Sequence, residues 1–93
     1  MKKLDFRVRV EVDADNGAPL SVYLQVRNGK VSKVRELVAG DVFVNYDHKG
    51  TLLGVEILAP CRIAIFDQIA RKEPKEVKEF LVGKIPRELA LSA

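Results

Sequence analysis

The chain has no tryptophan, and only one cysteine, one methionine and one histidine among its 93 residues. Cys61 alone closes no intrachain disulfide, so no oxidised staple holds the fold. A zinc site needs a set of convergent Cys, His or carboxylate ligands, and His48 is the only imidazole on offer. Structural zinc is therefore excluded. Aromatic residues make up 6% of the chain, few for the stacking platforms on which single-stranded nucleic acids lie. No run approaches the ~20 apolar residues of a membrane-spanning helix. The opening Met1-Lys2-Lys3-Leu4-Asp5 alternates too soon to be a secretion signal. These absences predict a cytoplasmic protein with no membrane association, no cofactor and no bound metal.

What is present is ordinary for a globular chain: 47% hydrophobic and 31% charged residues, outside the range of disordered sequences. The length fits one domain over 1–93. A chain of this size hides only roughly 60–65% of its unfolded surface on folding, so a homo-oligomer, most simply a dimer, is expected as a source of further burial. The net charge of +3 is small. Nine basic and eight acidic side chains fall in 1–60, and seven and five in 61–93, so no tail carries the surplus. Lys72, Lys75 and Lys78 alternate with Glu73, Glu76 and Glu79, which reads as a solvated helix face rather than a polyanion footprint.

From Leu4 to Val12 every second residue is apolar, the pattern of a strand with one wet face. Asp13 to Gly17 is turn-forming, and alternation resumes at Leu20, Val22, Leu24 and Val26, predicting a hairpin. Asn28-Gly29 is a strong type I′ signal and predicts a direct turn into a third strand between Lys30 and Val38. That strand is charged and irregular, which suggests an edge or a bulge. After Ala39-Gly40-Asp41, a fourth strand holds Val42, Val44 and Tyr46. After Asp47 to Gly50, a fifth runs from Thr51 to Leu58. Both parities of the fifth are apolar, predicting a central strand covered on both faces.

The period then lengthens. Ile63, Phe66, Ile69 and Ala70 predict a helix over Arg62 to Arg71. Pro74 opens a second helix with Gly83 at its C-cap, and Pro86 a last short turn through Leu89. The fold class is α+β: an antiparallel meander of about five strands over 1–60, then two or three short helices over 61–93. The expected core is Phe6, Val8, Val10, Val22, Leu24, Val44, Val55, Ile57, Ile63, Phe66 and Ile69.

Tyr23-Leu24-Gln25-Val26, the run Gly40-Asp41-Val42-Phe43-Val44-Asn45-Tyr46-Asp47, Gly50, and Leu53-Gly54-Val55-Glu56-Ile57-Leu58 together resemble domain-of-unknown-function family twenty-two eighty-three. The resemblance spans roughly 8–60 and implies a short prokaryotic protein without established activity, some members looking like the antitoxin partners of small toxins. Asn45 stands where members carry an acidic residue. No catalytic residue is implied.

Few residues invite a chemical reading. Asp13-x-Asp15-Asn16 begins like a calcium loop, but Ala18 and Leu24 occupy the positions that need Gly and Glu. His48 beside Asp47 sits in a predicted exposed turn. Cys61, at the start of a predicted helix, would gain reactivity from the helix dipole, against the commoner case of a buried, inert thiol. Glu56 is expected either in water or in an ion pair with Arg7 or Arg9. Gly54, inside a strand, predicts a bulge or a close approach.

The function expected on these grounds is a non-catalytic protein-interaction or regulatory module, antitoxin-like in one version, acting as a homo-oligomer or on a small protein partner. Val77, Phe80, Leu81, Ile85 and Leu89 are the expected interaction residues, because so short a tail should not hide them by itself. One alternative is a nucleic-acid-associated protein using Arg7, Arg9, Lys33 and Arg35, a partner class the scarce aromatics disfavour. The other is an enzyme using Cys61.

Overall fold

The five segments expected as strands all become strands, and their pairing order decides which of them share a dry face. The computed structural model describes residues 3–91, so the expectation placed on Met1 and Lys2 lies outside the described residues. The strands are β1 (Leu4–Val12), β2 (Pro19–Arg27), β3 (Lys33–Leu37), β4 (Val42–Tyr46) and β5 (Leu52–Ile57). They form one antiparallel sheet in the order β1-β2-β5-β4-β3. The α+β class with five antiparallel strands and C-terminal helices is as expected.

The connections explain the order. Asp13 Oδ1 accepts from the backbone N–H groups of Asp15 (2.8 Å) and Asn16 (3.2 Å), and Asn16 Oδ1 accepts from that of Ala18 (2.8 Å). With Gly17 at φ 72°, these Asx bonds tie β1 to β2. Asn28-Gly29, by contrast, does not close a hairpin. The chain leaves β2, crosses the sheet and enters at the opposite edge as β3, because the partner of β2 is β5. The turn chemistry is favourable, but the apolar β5, buried at every residue except Glu56, displaces the charged β3 from the centre.

Beyond the sheet, the helical stripe is shorter than its period implied. Cys61–Arg62 is a two-residue strand, β6, paired in parallel with β7 (Ala90–Leu91). Helix α1 covers only Ile65–Ile69, and α2 runs Lys75–Lys84. Gly83 therefore lies inside α2, and Ile85 is the cap residue. A 3-10 turn, Arg87–Leu89, follows Pro86. An ion pair between Lys78 and Asp67 joins the two helices.

The helical layer covers one face of the sheet. Val22, Leu24 and Val26 of β2, Val42 and Val44 of β4, and Leu52, Val55 and Ile57 of β5 pack against Cys61, Phe66, Ala70, Val77, Leu81, Ile85 and Leu89. Two corrections to the expected core follow. Phe6, Val8 and Val10 are exposed, and Ile63 and Ile69 are only half-buried. The second face of β5 has no helical cover either; a register irregularity opposite Asn45 and Tyr46 lets Leu52 and Leu53 both bury.

Arg27 ends β2 inside this core at 5% exposure. Its Nη1 donates to the Leu52 carbonyl (2.9 Å) and its Nη2 to Glu73 Oε1 (2.7 Å). A buried guanidinium is tolerable only with such partners. The bond fixes the segment before α2 to the end of the sheet.

Candidate protein-interaction surface

The sheet has two edges of opposite character. β3 is five residues long and carries Lys33, Arg35 and Glu36. Arg35 is paired with Val44 and Lys33 with Tyr46, so both basic side chains stand on the helix side of the sheet. A short edge with charges on its inner side resists addition of another strand. Its continuation is a left-handed turn, with Val38 at φ 54°, Ala39 at φ 52° and Gly40 at φ 92°.

β1 is nine residues long, contains no proline, and forms the other edge. Val8 is paired with Leu24 and Val10 with Val22. Their side chains therefore point to the same side as the core, but the helices do not reach them. Phe6, Val8, Val10 and Val12 are 38%, 42%, 41% and 52% exposed. The helical layer ends at Phe6, whose ring stacks on Phe80 of α2 with centroids 4.5 Å apart. The result is an apolar strip beside a row of unpaired backbone groups. At its start β1 carries one residue more than β2 between Leu4 and Arg7, and the side-chain amide of Gln25 donates to the Asp5 carbonyl in that irregular stretch (3.0 Å).

The other face of the sheet is open and polar. Arg7 and Arg9 of β1, Tyr23 and Gln25 of β2, Glu56 of β5 and Asn45 of β4 alternate with the core residues. The Tyr23 ring lies across the sheet over Gly54, with its hydroxyl at the spot where a Cβ of residue 54 would point. Arg9 sits over the outer side of the same ring, 5.4 Å from its centroid. Asn45 Nδ2 makes a long contact, 3.5 Å, to the Tyr23 hydroxyl. Gly54 is thus a close approach of an aromatic ring, one of the two readings its position allowed. Glu56 is half-exposed on this face, opposite Tyr23 and Phe43.

The residues singled out in sequence are dispersed. Val77, Leu81, Ile85 and Leu89 are buried in the chain's own core, which corrects their expected role as interaction surface. The tail does hide them, because they close over β2, β4 and β5. Phe80 alone remains half-exposed, against Phe6. Arg7 and Arg9 lie on the open face at one edge, whereas Lys33 and Arg35 lie on the helix side at the other, so the four do not form one basic patch.

Cys61 is 1% exposed in β6, not at a helix start. Burial, with a smaller contribution from the Asp41 carboxylate, pushes its thiol above its ordinary value of 9.0. A protonated, sealed thiol is a poor nucleophile. Asp47 Oδ1 accepts from the backbone N–H groups of Lys49 and Thr51, each at 2.9 Å, so this carboxylate is a turn staple. His48 beside it is exposed. Among the described residues no three His, Cys, Asp or Glu side chains are grouped to hold a metal ion, and no helix is long and apolar enough to cross a membrane.

A cleft of about 410 Å³ between β3, β4 and α1 is lined by Arg35, Tyr46, Gln68, Ile69, Arg71 and Lys72, among others. Its three basic side chains are all exposed, so it supplies positive charge without a fixed recognition geometry.

The exposed β1 strip was not anticipated. Its sequence signal was the perfect alternation of Leu4 to Val12, which looks the same whether the apolar side is covered or bare.

Residues 21–59 match the family described as Protein of unknown function (DUF2283). The matched segment runs from β2 to just past β5 and includes both Tyr23 and Gly54. No curated protein and no solved structure matches the chain.

Proposed function

We propose that this chain is a non-catalytic protein-interaction module; the family that residues 21–59 match has no known function, so the role is read from the surface. The observation that carries this reading is the bare apolar strip Val8, Val10 and Val12 along the unpaired edge of β1. Exposed apolar side chains beside unsatisfied strand hydrogen bonds are the chemistry that strand addition uses: the backbone supplies affinity and the alternate side chains supply selectivity. A polypeptide is the natural occupant, as a second copy in a homo-oligomer or as another small protein. Antitoxin-like neutralisation of a bound toxin is one form of such a role. The burial of Cys61 and the structural use of Asp47 support the non-catalytic side of the reading.

The test is a chain carrying both Val8→Lys and Val10→Lys. These positions are exposed, so the fold should survive with an unchanged circular dichroism spectrum. Self-association and the capture of proteins from the source organism's extract should both fall relative to the unsubstituted chain. If neither changes, the β1 strip is not the working surface.

A further inference from the structure

We infer that the occupant of the β1 edge is β1 of a second copy, paired antiparallel across a two-fold axis at Val10 so that two five-stranded sheets become one of ten strands. This rests on the interaction reading above and names its partner. The argument starts from charge. Along the open face β1 reads Asp5, Arg7, Arg9, Glu11, followed by Asp13. Two antiparallel copies keep their apolar strips on one side only if the register shifts in steps of two residues.

With the axis at Val8, Arg7 faces Arg9, and Asp5 faces Glu11. Like charges directly opposite are destabilising, so the register of greatest overlap is opposed. With the axis at Phe6, Asp5 faces Arg7, but Lys3 meets Arg9. With the axis at Arg7 or Arg9, an arginine faces its own copy. With the axis at Val10, Arg9 faces Glu11, twice by symmetry, while Arg7 falls opposite the turn that begins at Asp13. Val8 then faces Val12, and Val10 faces Val10. The charged pair that falls within β1 in that register is of opposite sign, and every apolar residue of the strip from Val8 to Val12 meets another.

Area points the same way. The structure exposes 6103 Å², about 700 Å² more than the roughly 5,400 Å² at which a compact monomer of this mass scales. The excess is comparable with the ~800 Å² that each partner hides in a standard-size interface. An isologous contact of one strip with its own copy satisfies both partners at once and leaves no sticky edge. The opposite edge, short and charged on β3, does not propagate the sheet, so assembly stops at two chains.

The full chain should sediment as a dimer at micromolar concentration. Glu11→Arg turns two attractive pairs into two repulsive ones and should weaken self-association by about tenfold or more. Adding Arg9→Glu to that variant restores the pairing with its signs exchanged and should recover the dimer. For the register, Val10→Cys should give a disulfide-linked dimer under mild oxidation, because facing residues of an antiparallel pair fall within disulfide reach. Val8→Cys alone should not cross-link, whereas a mixture of Val8→Cys and Val12→Cys chains should. The buried Cys61 stays out of these reactions, and a thermal melt of each variant verifies its fold.

A wild-type chain that remains monomeric at high micromolar concentration overturns the inference, as does unchanged dimerisation of the Glu11→Arg variant or cross-linking of Val8→Cys to itself. Should the monomer nevertheless capture another protein in a manner lost on Val8→Lys and Val10→Lys substitution, the interaction reading stands and only the second copy is eliminated.

Discussion

The Tyr23 ring occupies the space that a side chain on Gly54 would need. A Cβ built there would run into the ring and its hydroxyl and would stand 3.0 Å from the Leu24 carbonyl. Gln25, not Tyr23, is the direct partner of Gly54 across β2 and β5; the ring reaches Gly54 diagonally, as large aromatics do on a pleated surface. Gly54→Ala should therefore destabilise by about 1–3 kcal/mol, the ordinary cost of overpacking. Combining it with Tyr23→Ala should cost less than the two separate losses together. Urea titration of the four proteins measures that coupling, and strict additivity would show that the ring does not need the gap.

Arg27 and Glu73 bond across 46 positions of sequence at 2.7 Å. Glu73→Ala removes a charged partner from an arginine side chain that is 5% exposed, while Glu73 itself is 17% exposed. The loss should be roughly 2–3 kcal/mol, less than the ~3–5 kcal/mol of a fully buried pair because water already reaches the carboxylate. Arg27→Met, which removes the buried charge and keeps most of the volume, should cost less than Glu73→Ala. Chemical denaturation ranks the two, and the reverse order would contradict this account.

Gly83 lies in α2 with open space where a side chain would stand. Gly83→Ala should raise stability by about 0.5–1 kcal/mol, since alanine loses less backbone entropy on entering a helix. Val38 is the opposite case, a β-branched residue at φ 54° and 45% exposed. Val38→Asn should gain on the order of 1 kcal/mol by relieving left-handed strain at little cost in burial. Both gains should appear as higher melting temperatures by calorimetry.

Cys61 provides a pH signature. Its folded-state pKa lies above 9.0 because burial, and then Asp41, disfavour the thiolate. The native protein thus holds the thiol proton more tightly than the unfolded chain. The associated stability is fully present below pH 9.0 and is lost as pH rises through the folded-state value. Above pH 9 the melting temperature of the wild-type chain should fall more steeply than that of Cys61→Ala. A thiol reagent at pH 8 should leave the native chain unlabelled and label it in denaturant. Rapid native labelling would mean that the thiol is not sealed.

Local pattern reached far into this fold. The period of two places β1, β2 and β4, turn residues and an apolar run bound the other two strands, Asp13 to Gly17 announces the β1 to β2 turn, and Pro74 and Pro86 mark where helical turns begin. Gly54 inside a strand implies a bulge or a close approach, and Tyr23 belongs to the same family pattern, but nothing in the sequence joins the two. Asn28-Gly29 misled, because a turn signal reports the ease of a bend and not the strand that lies beyond it.

The amino-acid order by itself determined what depends on near neighbours: strand or helix, wet or dry parity, and the turn residues. Tertiary structure alone decided which strand took the centre, which edge stayed open, and how far the helices reached. Val8 and Val22 carry the same local pattern, yet Val22 is 1% exposed and Val8 42%. The difference is the extent of the helical layer, since burial depends on what packs over a residue from distant sequence, and a short C-terminal segment runs out before it covers β1.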